Sequence, residues 1–250
     1  MATRRSTRRD VLGTAALCAG GVLLARSAPA EGAEQSTAAS YNTPKPAFRK
    51  GSTILFQGDS ITHGGRGRDL NHYMGHCYAY LIAARLGADM AQQNLHFLNR
   101  GVSGDTVKRL QARWQRDTLD LKPDVLSILI GVNGRYRFPA DDYAKMYTAL
   151  LAQTTAALPK ITLVLCDPFV NPREKPDSRS RVEVDTRRAI VKKLATTFKA
   201  IHVPTQDVFE EAARTTPPNY WIWDGVHPTP AGHELLARRW LETVAAQLKG

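Results

Sequence analysis

Apolar residues gather in five short runs along this chain, and between the runs they spread to helical spacing. Thr53-Ile54-Leu55-Phe56 is β-branched and aromatic with no polar interruption, the pattern of a strand buried on both faces. Leu95-His96-Phe97-Leu98, residues 125–130, residues 161–166 and the weaker Ile201-His202-Val203 repeat that pattern. Residues 71–87 place Cys77, Tyr78, Leu81, Ile82 and Leu86 on one side, which predicts a helix stopped by Gly87. A helix starting near Asp105 sets Val107, Leu110 and Trp114 at i, i+3 and i+7, and further helices are expected over 140–154 and 182–198. Thr229-Pro230 opens a terminal helix carrying Leu236, Trp240 and Val244. Strand and helix thus alternate five times. That order predicts an α/β fold, a doubly wound five-stranded parallel sheet with helices on both faces as a three-layer α/β/α sandwich.

The two ends of the pattern differ from its middle. Residues 1–30 carry Arg8-Arg9 ahead of an uncharged run, too short to span a bilayer, that closes on Ala28-Pro29-Ala30. They resemble a twin-arginine export signal of a bacterium, so the mature chain is expected periplasmic or extracellular, without a membrane span. Residues 31–47 are rich in Ala, Ser, Thr, Gln and Pro and read as a flexible lead-in, leaving 48–250 as a single domain with no internal repeat.

Composition adds limits. Apolar residues make up 43% and charged residues 23%, as in an ordinary globular protein, and the formal charge is +11. Setting aside the five arginines and one aspartate of the leader leaves 29 basic and 22 acidic residues, or +7. That excess suits either an acidic substrate or a generally basic surface. Nucleic acid is not expected as a partner, because no basic run interleaved with aromatics appears. Cys77 and Cys166 read as small buried residues rather than a disulfide, and no oligomeric state is read from the chain.

Candidate chemistry sits where the strands end. Gly58-Asp59-Ser60 follows the first strand, at the edge where open α/β sheets hold their sites, although Asp59 and Ser60 equally suit a helix N-cap. The loop Asn99-Arg100-Gly101-Val102-Ser103-Gly104 leaves the second strand, and Gly131-Val132-Asn133-Gly134 leaves the third. Asp224-Gly225-Val226-His227-Pro228 precedes the last helix, and an aspartate three residues before a histidine can turn its carboxylate onto the imidazole Nδ1. His72 and His76, four apart, could share a metal with His63 and Asp59, but no third ligand stands at a familiar spacing.

These four segments, in this order, resemble the four blocks of the SGNH (GDSL-type) hydrolase family, and the resemblance covers essentially everything after the leader and lead-in. It implies the flavodoxin-like SGNH fold, a nucleophile at Ser60, a general base at His227 and an orienting carboxylate at Asp224. It further implies an oxyanion hole from the backbone N–H groups of Ser60 and Gly104 with the Asn133 amide, and neither metal nor cofactor. One block departs from the family, which commonly continues Asn-Asp where this chain has Asn133-Gly134. That departure bears on the local support of the loop.

Among relatives, the match around residues 99–106 is most similar to secreted esterases that deacetylate plant cell-wall polysaccharides. The expected substrate is therefore an acylated carbohydrate, with Arg66, Arg135, Tyr136, Trp221 and Trp223 at the rim of the site and Tyr220 beside them. Aromatic faces of this kind hold sugars but equally fill cores. The rival readings are a lipase-like, thioesterase-like or arylesterase activity on free acyl esters, a non-catalytic carbohydrate-binding protein, and a metal-dependent hydrolase.

Overall fold

Five parallel strands occupy the five apolar runs. They are β1 (Thr53–Gly58), β2 (His96–Asn99), β3 (Val125–Leu129), β4 (Thr162–Cys166) and β5 (Ile201–Val203), ordered β2-β1-β3-β4-β5 across one sheet. A computed structural model describes residues 44–67 and 73–249, all within one compact unit. The leader and most of the lead-in lie outside the described residues. Phe48 is the first large apolar residue of the described chain to join the core.

Alternation along each strand divides the core into two layers. Ile54 and Phe56 face α2 (Tyr78–Asp89) and the terminal α7 (Pro230–Gln247), where they meet Ile82, Leu86, Leu236, Trp240 and Val244. Leu55 faces the other way, onto α3 (Val107–Trp114), α4 (Ala140–Ala157) and α5 (Arg179–Thr197), among Leu110, Trp114, Leu150, Leu151 and Val191. Helices therefore cover both faces of the sheet, as the alternating pattern predicts. Cys77 and Cys166 are buried free thiols, and burial pushes Cys166 up to about 12. Among the described residues, no helix is long and apolar enough to cross a membrane.

Two elements depart from expectation. The helix read over 71–87 begins only at Tyr78, because Gly75 takes φ +83 and the next amide, His76 N, donates to Gly64 O at 2.8 Å. Gly75 approaches that carbonyl so closely that a Cβ would meet it at 2.4 Å. Cys77 supplies no side-chain cap, and buried His233 of α7 accepts the Tyr78 amide at Nδ1 instead. Burial holds that imidazole neutral, with a pKa lowered to about 4, so the acceptor persists at neutral pH. Gly87 does not stop the helix, which runs on to Asp89, since a glycine ends a helix only where the backbone turns left-handed. A further helix, α6 (Thr205–Ala212), is unannounced in the sequence because it is eight residues long and buries only Val208 and Phe209 as large apolar residues.

α7 is tied to the sheet by Trp240, which is 1% exposed, packs against Phe56 at 5.6 Å between ring centroids and donates its Nε1 hydrogen to Ser127 Oγ at 2.9 Å. Truncation leaves a cavity and removes the indole donor from the buried Ser127 hydroxyl. Trp240→Ala should lower unfolding stability by about 3 to 5 kcal/mol in a denaturant titration; a loss below about 1 kcal/mol would mean that α7 is held elsewhere.

Candidate active site

The turn after β1 is shaped by close approach. A Cβ on Gly58 would lie 2.4 Å from Leu129 O of the neighbouring strand, so only glycine lets the chain turn there. Asp59 then caps α1 (Ser60–His63), with Oδ1 accepting from Ile61 N at 3.0 Å. The capping role of Asp59 and a half-buried serine coexist. Ser60 is half-buried in the first turn, and its Oγ lies 2.8 Å from His227 Nε2.

His227 is delivered by a closed loop. Trp223 N donates to His227 O at 3.1 Å, Ile222 and Pro228 form an antiparallel bridge, and Thr229 N donates to Trp221 O before Thr229 caps α7. Asn171, from the loop after β4, braces it by donating its amide N to Gly225 O and its Nδ2 to Ile222 O. Within the loop Asp224 Oδ1 accepts from Val226 N and His227 N, and Oδ2 lies 2.6 Å from His227 Nδ1. Burial raises the Asp224 carboxyl, but the bonds from the His227 backbone, the His227 ring and Val226 outweigh it and hold it below its usual value. An ionised Asp224 keeps the proton on Nδ1, which leaves Nε2 free to accept from the serine.

The loop after β2 lies against the serine turn. Val102 N donates to Gly58 O, Arg66 Nε donates to Gly101 O, and a Cβ on Gly101 would meet His63 N at 2.5 Å. Gly104 sits at φ +78, and neither its amide nor that of Ser60 donates a hydrogen bond within the described residues. Asn133 Nδ2 donates to Asp105 O at 3.2 Å, and Asn133 shares the wall of one groove with Gly104. Ser60, Gly104 and Asn133 thus follow the carboxyl ends of β1, β2 and β3. Gly134, where the family commonly has aspartate, adopts φ +73, and its carbonyl accepts from Arg137 N and Phe138 N. The glycine supports the loop by closing this turn.

The expected rim residues separate. Trp223 is 62% exposed and stacks on the His227 ring, with centroids 6.2 Å apart and planes at 26°. Tyr136 is exposed between two guanidinium groups, Arg135 at 4.5 Å and Arg179 at 4.8 Å. Arg66 is half-buried, and its pKa is lowered by burial and by the charges of Arg100 and Arg113. Trp221, in contrast, packs partly buried against the core with its Nε1 enclosed, and sets its ring edge-on to Tyr220. Of the suggested metal ligands, His63 Nδ1 accepts from Gly65 N, His76 is exposed, and His72 lies outside the described residues.

Three supports were not apparent from sequence. Asp105 and Arg113 form a partly buried ion pair at 2.8 Å beside the glycine loop, and Arg113 also reaches Asp117. Arg187, 1% exposed, donates to Phe138 O and Arg135 O and so carries the loop that bears Asn133. Only the i,i+4 spacing of Glu183 and Arg187 hints at it, since the partners on the loop are about fifty residues away. Asn171 gives no sequence signal at all.

Comparison with known proteins agrees with this geometry. The family model for GDSL-like Lipase/Acylhydrolase matches residues 56–235. An acetylxylan esterase of Geobacillus stearothermophilus is 33% identical over 209 residues, covering 78% of this chain and 94% of that protein. The crystal structure of the G. stearothermophilus acetylxylan esterase Axe2 superposes with a TM-score of 0.73 at 32% identity, over 78% of this chain and 95% of Axe2. A Parabacteroides merdae protein described as a GDSL-like lipase gives 0.74 at 37% identity, over 82% of this chain and all of the other. Structures of catalytic mutants of Axe2 replace a serine, an aspartate and a histidine, the last two three positions apart. The chain therefore belongs to the GDSL-like lipase/acylhydrolase family, and it is a carboxylic ester hydrolase with the α/β fold of that family.

Asp59 is 1% exposed, its Oδ2 has no hydrogen-bond partner, and burial raises its pKa from 3.8 to about 7. A carboxyl whose folded pKa is raised binds more protons folded than unfolded between those values, so it costs stability as pH rises through that window. The gap is worth roughly 4 kcal/mol at full ionisation. Wild type should lose stability relative to Asp59→Asn as pH climbs from about 4 to about 7. Parallel unfolding curves for the two proteins across that range would refute a buried neutral carboxyl.

Proposed function

We propose that this protein is an exported serine esterase that removes small acyl groups, chiefly O-acetyl, from plant cell-wall polysaccharide. The observation that carries the reading is the continuous hydrogen-bonded line from Ser60 Oγ through the His227 ring to Asp224, 2.8 and 2.6 Å long. His227 Nε2 takes the hydroxyl proton as Ser60 Oγ attacks the acyl carbonyl. The resulting oxyanion meets the N–H groups of Ser60 and Gly104 and the amide of Asn133, donors worth about 2.7 to 4 kcal/mol each in such sites. The imidazolium, stabilised by Asp224, then protonates the departing sugar hydroxyl. Water, activated by the same Nε2, attacks the acetyl-serine and releases acetate.

Carbohydrate as the alcohol is supported by Trp223, whose exposed ring lies nearly parallel to the base and offers a flat face to a sugar. It is supported also by the acetylxylan esterase relatives, whose catalytic aspartate and histidine share the spacing of Asp224 and His227. Export is supported by the arginine pair, apolar run and Ala28-Pro29-Ala30 of the leader, and the reading assigns residues 48–250 to one catalytic domain.

Acetate release from acetylated xylan, acetylated pectin and aryl esters of increasing acyl length tests the reading. Ser60→Ala should fold normally and lose at least about a thousandfold in kcat; near-wild-type turnover in the purified variant would sink the assignment. Asn133→Ala should cost about 10² to 10³ in kcat. Asp224→Asn should damage turnover less than His227→Ala yet by more than about a hundredfold, because the base remains but is wrongly held. A preference for long aryl esters over every polysaccharide would keep the catalytic residues and overturn the substrate.

A further inference from the structure

Beside the proposed oxyanion donors opens a groove of about 540 Å³, walled by Gly104, Thr106, Lys108, Arg109, Asn133, Gly134, Arg137 and Phe138. Three of these residues are cationic, and none is acidic. Several arginines elsewhere are neutralised by carboxylates: Arg113 by Asp105 and Asp117, Arg181 by Asp185 and Glu210, Arg188 by Asp167, Asp185 and Asp207. Among the described residues Lys108 and Arg137 have no ion-pair partner, and Arg109 makes one long bond, from Nη1 to Gly104 O at 3.4 Å. What sets the groove apart is that three cations share one wall with no acidic residue in it. Helix stability does not account for them, since Lys108 and Arg109 stand in the first turn of α3, where the helix dipole disfavours positive charge and which itself holds no acidic residue.

We propose that the groove is an anion subsite of the same catalytic centre, and that the preferred substrate is an acylated saccharide bearing uronic carboxylates. The inference rests on the esterase reading, because it takes Gly104 and Asn133 as the groups that receive the acyl carbonyl. With that carbonyl in place, a neighbouring sugar falls into the groove. The planar forks of Arg109 and Arg137 match a carboxylate in two-point fashion, and Lys108 adds a mobile point charge. All three side chains are exposed at the rim, so their attraction is screened over about 10 Å at 0.1 M salt. The subsite therefore selects among substrates chiefly at low ionic strength.

Calorimetry on the Ser60→Ala protein tests this without turnover. The probes are an oligogalacturonate, its carboxyl-reduced neutral form and a sulfated saccharide of equal length. The oligogalacturonate should bind about tenfold more tightly than the neutral form at low salt, the size that a few exposed charge contacts supply. That advantage should vanish in the combined Lys108→Gln, Arg109→Gln, Arg137→Gln variant and at about 1 M salt. Should the combined variant not fold, Arg137→Gln alone, in an exposed loop, should reduce the advantage about threefold. Equal binding of charged and neutral probes, or an advantage untouched by these substitutions, would overturn the subsite; tighter binding of the sulfated probe would overturn the uronate. Hydrolysis of an aryl acetate by wild type reports the esterase reading separately. Its absence would remove that reading, while the binding comparison would still decide the subsite.

Discussion

A single contact, 2.8 Å between Ser60 Oγ and His227 Nε2, joins positions 167 residues apart, and much of the fold serves to hold it. The serine end is fixed by β1, which lies between β2 and β3 in the sheet and ends at a glycine pressed against Leu129 O. The histidine end is fixed by α7, which Trp240 locks onto Phe56 and Ser127 of the same sheet region. Both ends therefore refer to one rigid layer. Loop flexibility alone could not keep two side chains within hydrogen-bond reach, because ordering a free loop costs about 1 to 2 kcal/mol for every residue.

Around that contact the polar groups are arranged in depth. Asp224 is satisfied by two backbone amides and the imidazole, so it can stay charged near the surface. Asp59, one residue before the serine, is buried with one oxygen unpaired, and burial drives it toward the neutral acid. Two carboxyls close to one imidazole are thereby pushed in opposite directions by their surroundings. The deeper Asp105–Arg113 pair neutralises the floor of the glycine loop, while Arg187 supports the loop of Asn133 from below. Buried arginines here act through geometry, since removing one would strand several carbonyls without donors.

Two groups of cationic residues have different physical roles. Arg113, Arg181, Arg187 and Arg188 are spent on carboxylates and carbonyls within the protein. Lys108, Arg109 and Arg137 face an open groove without acidic company. Net charge alone does not distinguish the two groups, because a count does not register which charges are already paired.

Much of the architecture was legible in the sequence. Continuous apolar runs can be satisfied only by burial on both sides, and their alternation with helical spacing leaves a doubly wound parallel sheet as the economical arrangement. Ser60, Gly104, Asn133, Asp224 and His227 were legible as candidates, because each lies at a strand exit or ahead of the last helix, where side chains can converge. Local signals misled where a distant partner intervened: Gly75 and the His76 amide meet Gly64, so the helix starts late, and Trp221 turns into the core while Trp223 stays exposed. Asn171, Arg187 and the Asp105–Arg113 pair were invisible for the same reason. Periodicity and local turn chemistry are properties of neighbouring residues and are written in the chain itself; the partner of a buried polar group is set by how the layers pack, and only the tertiary structure decides it.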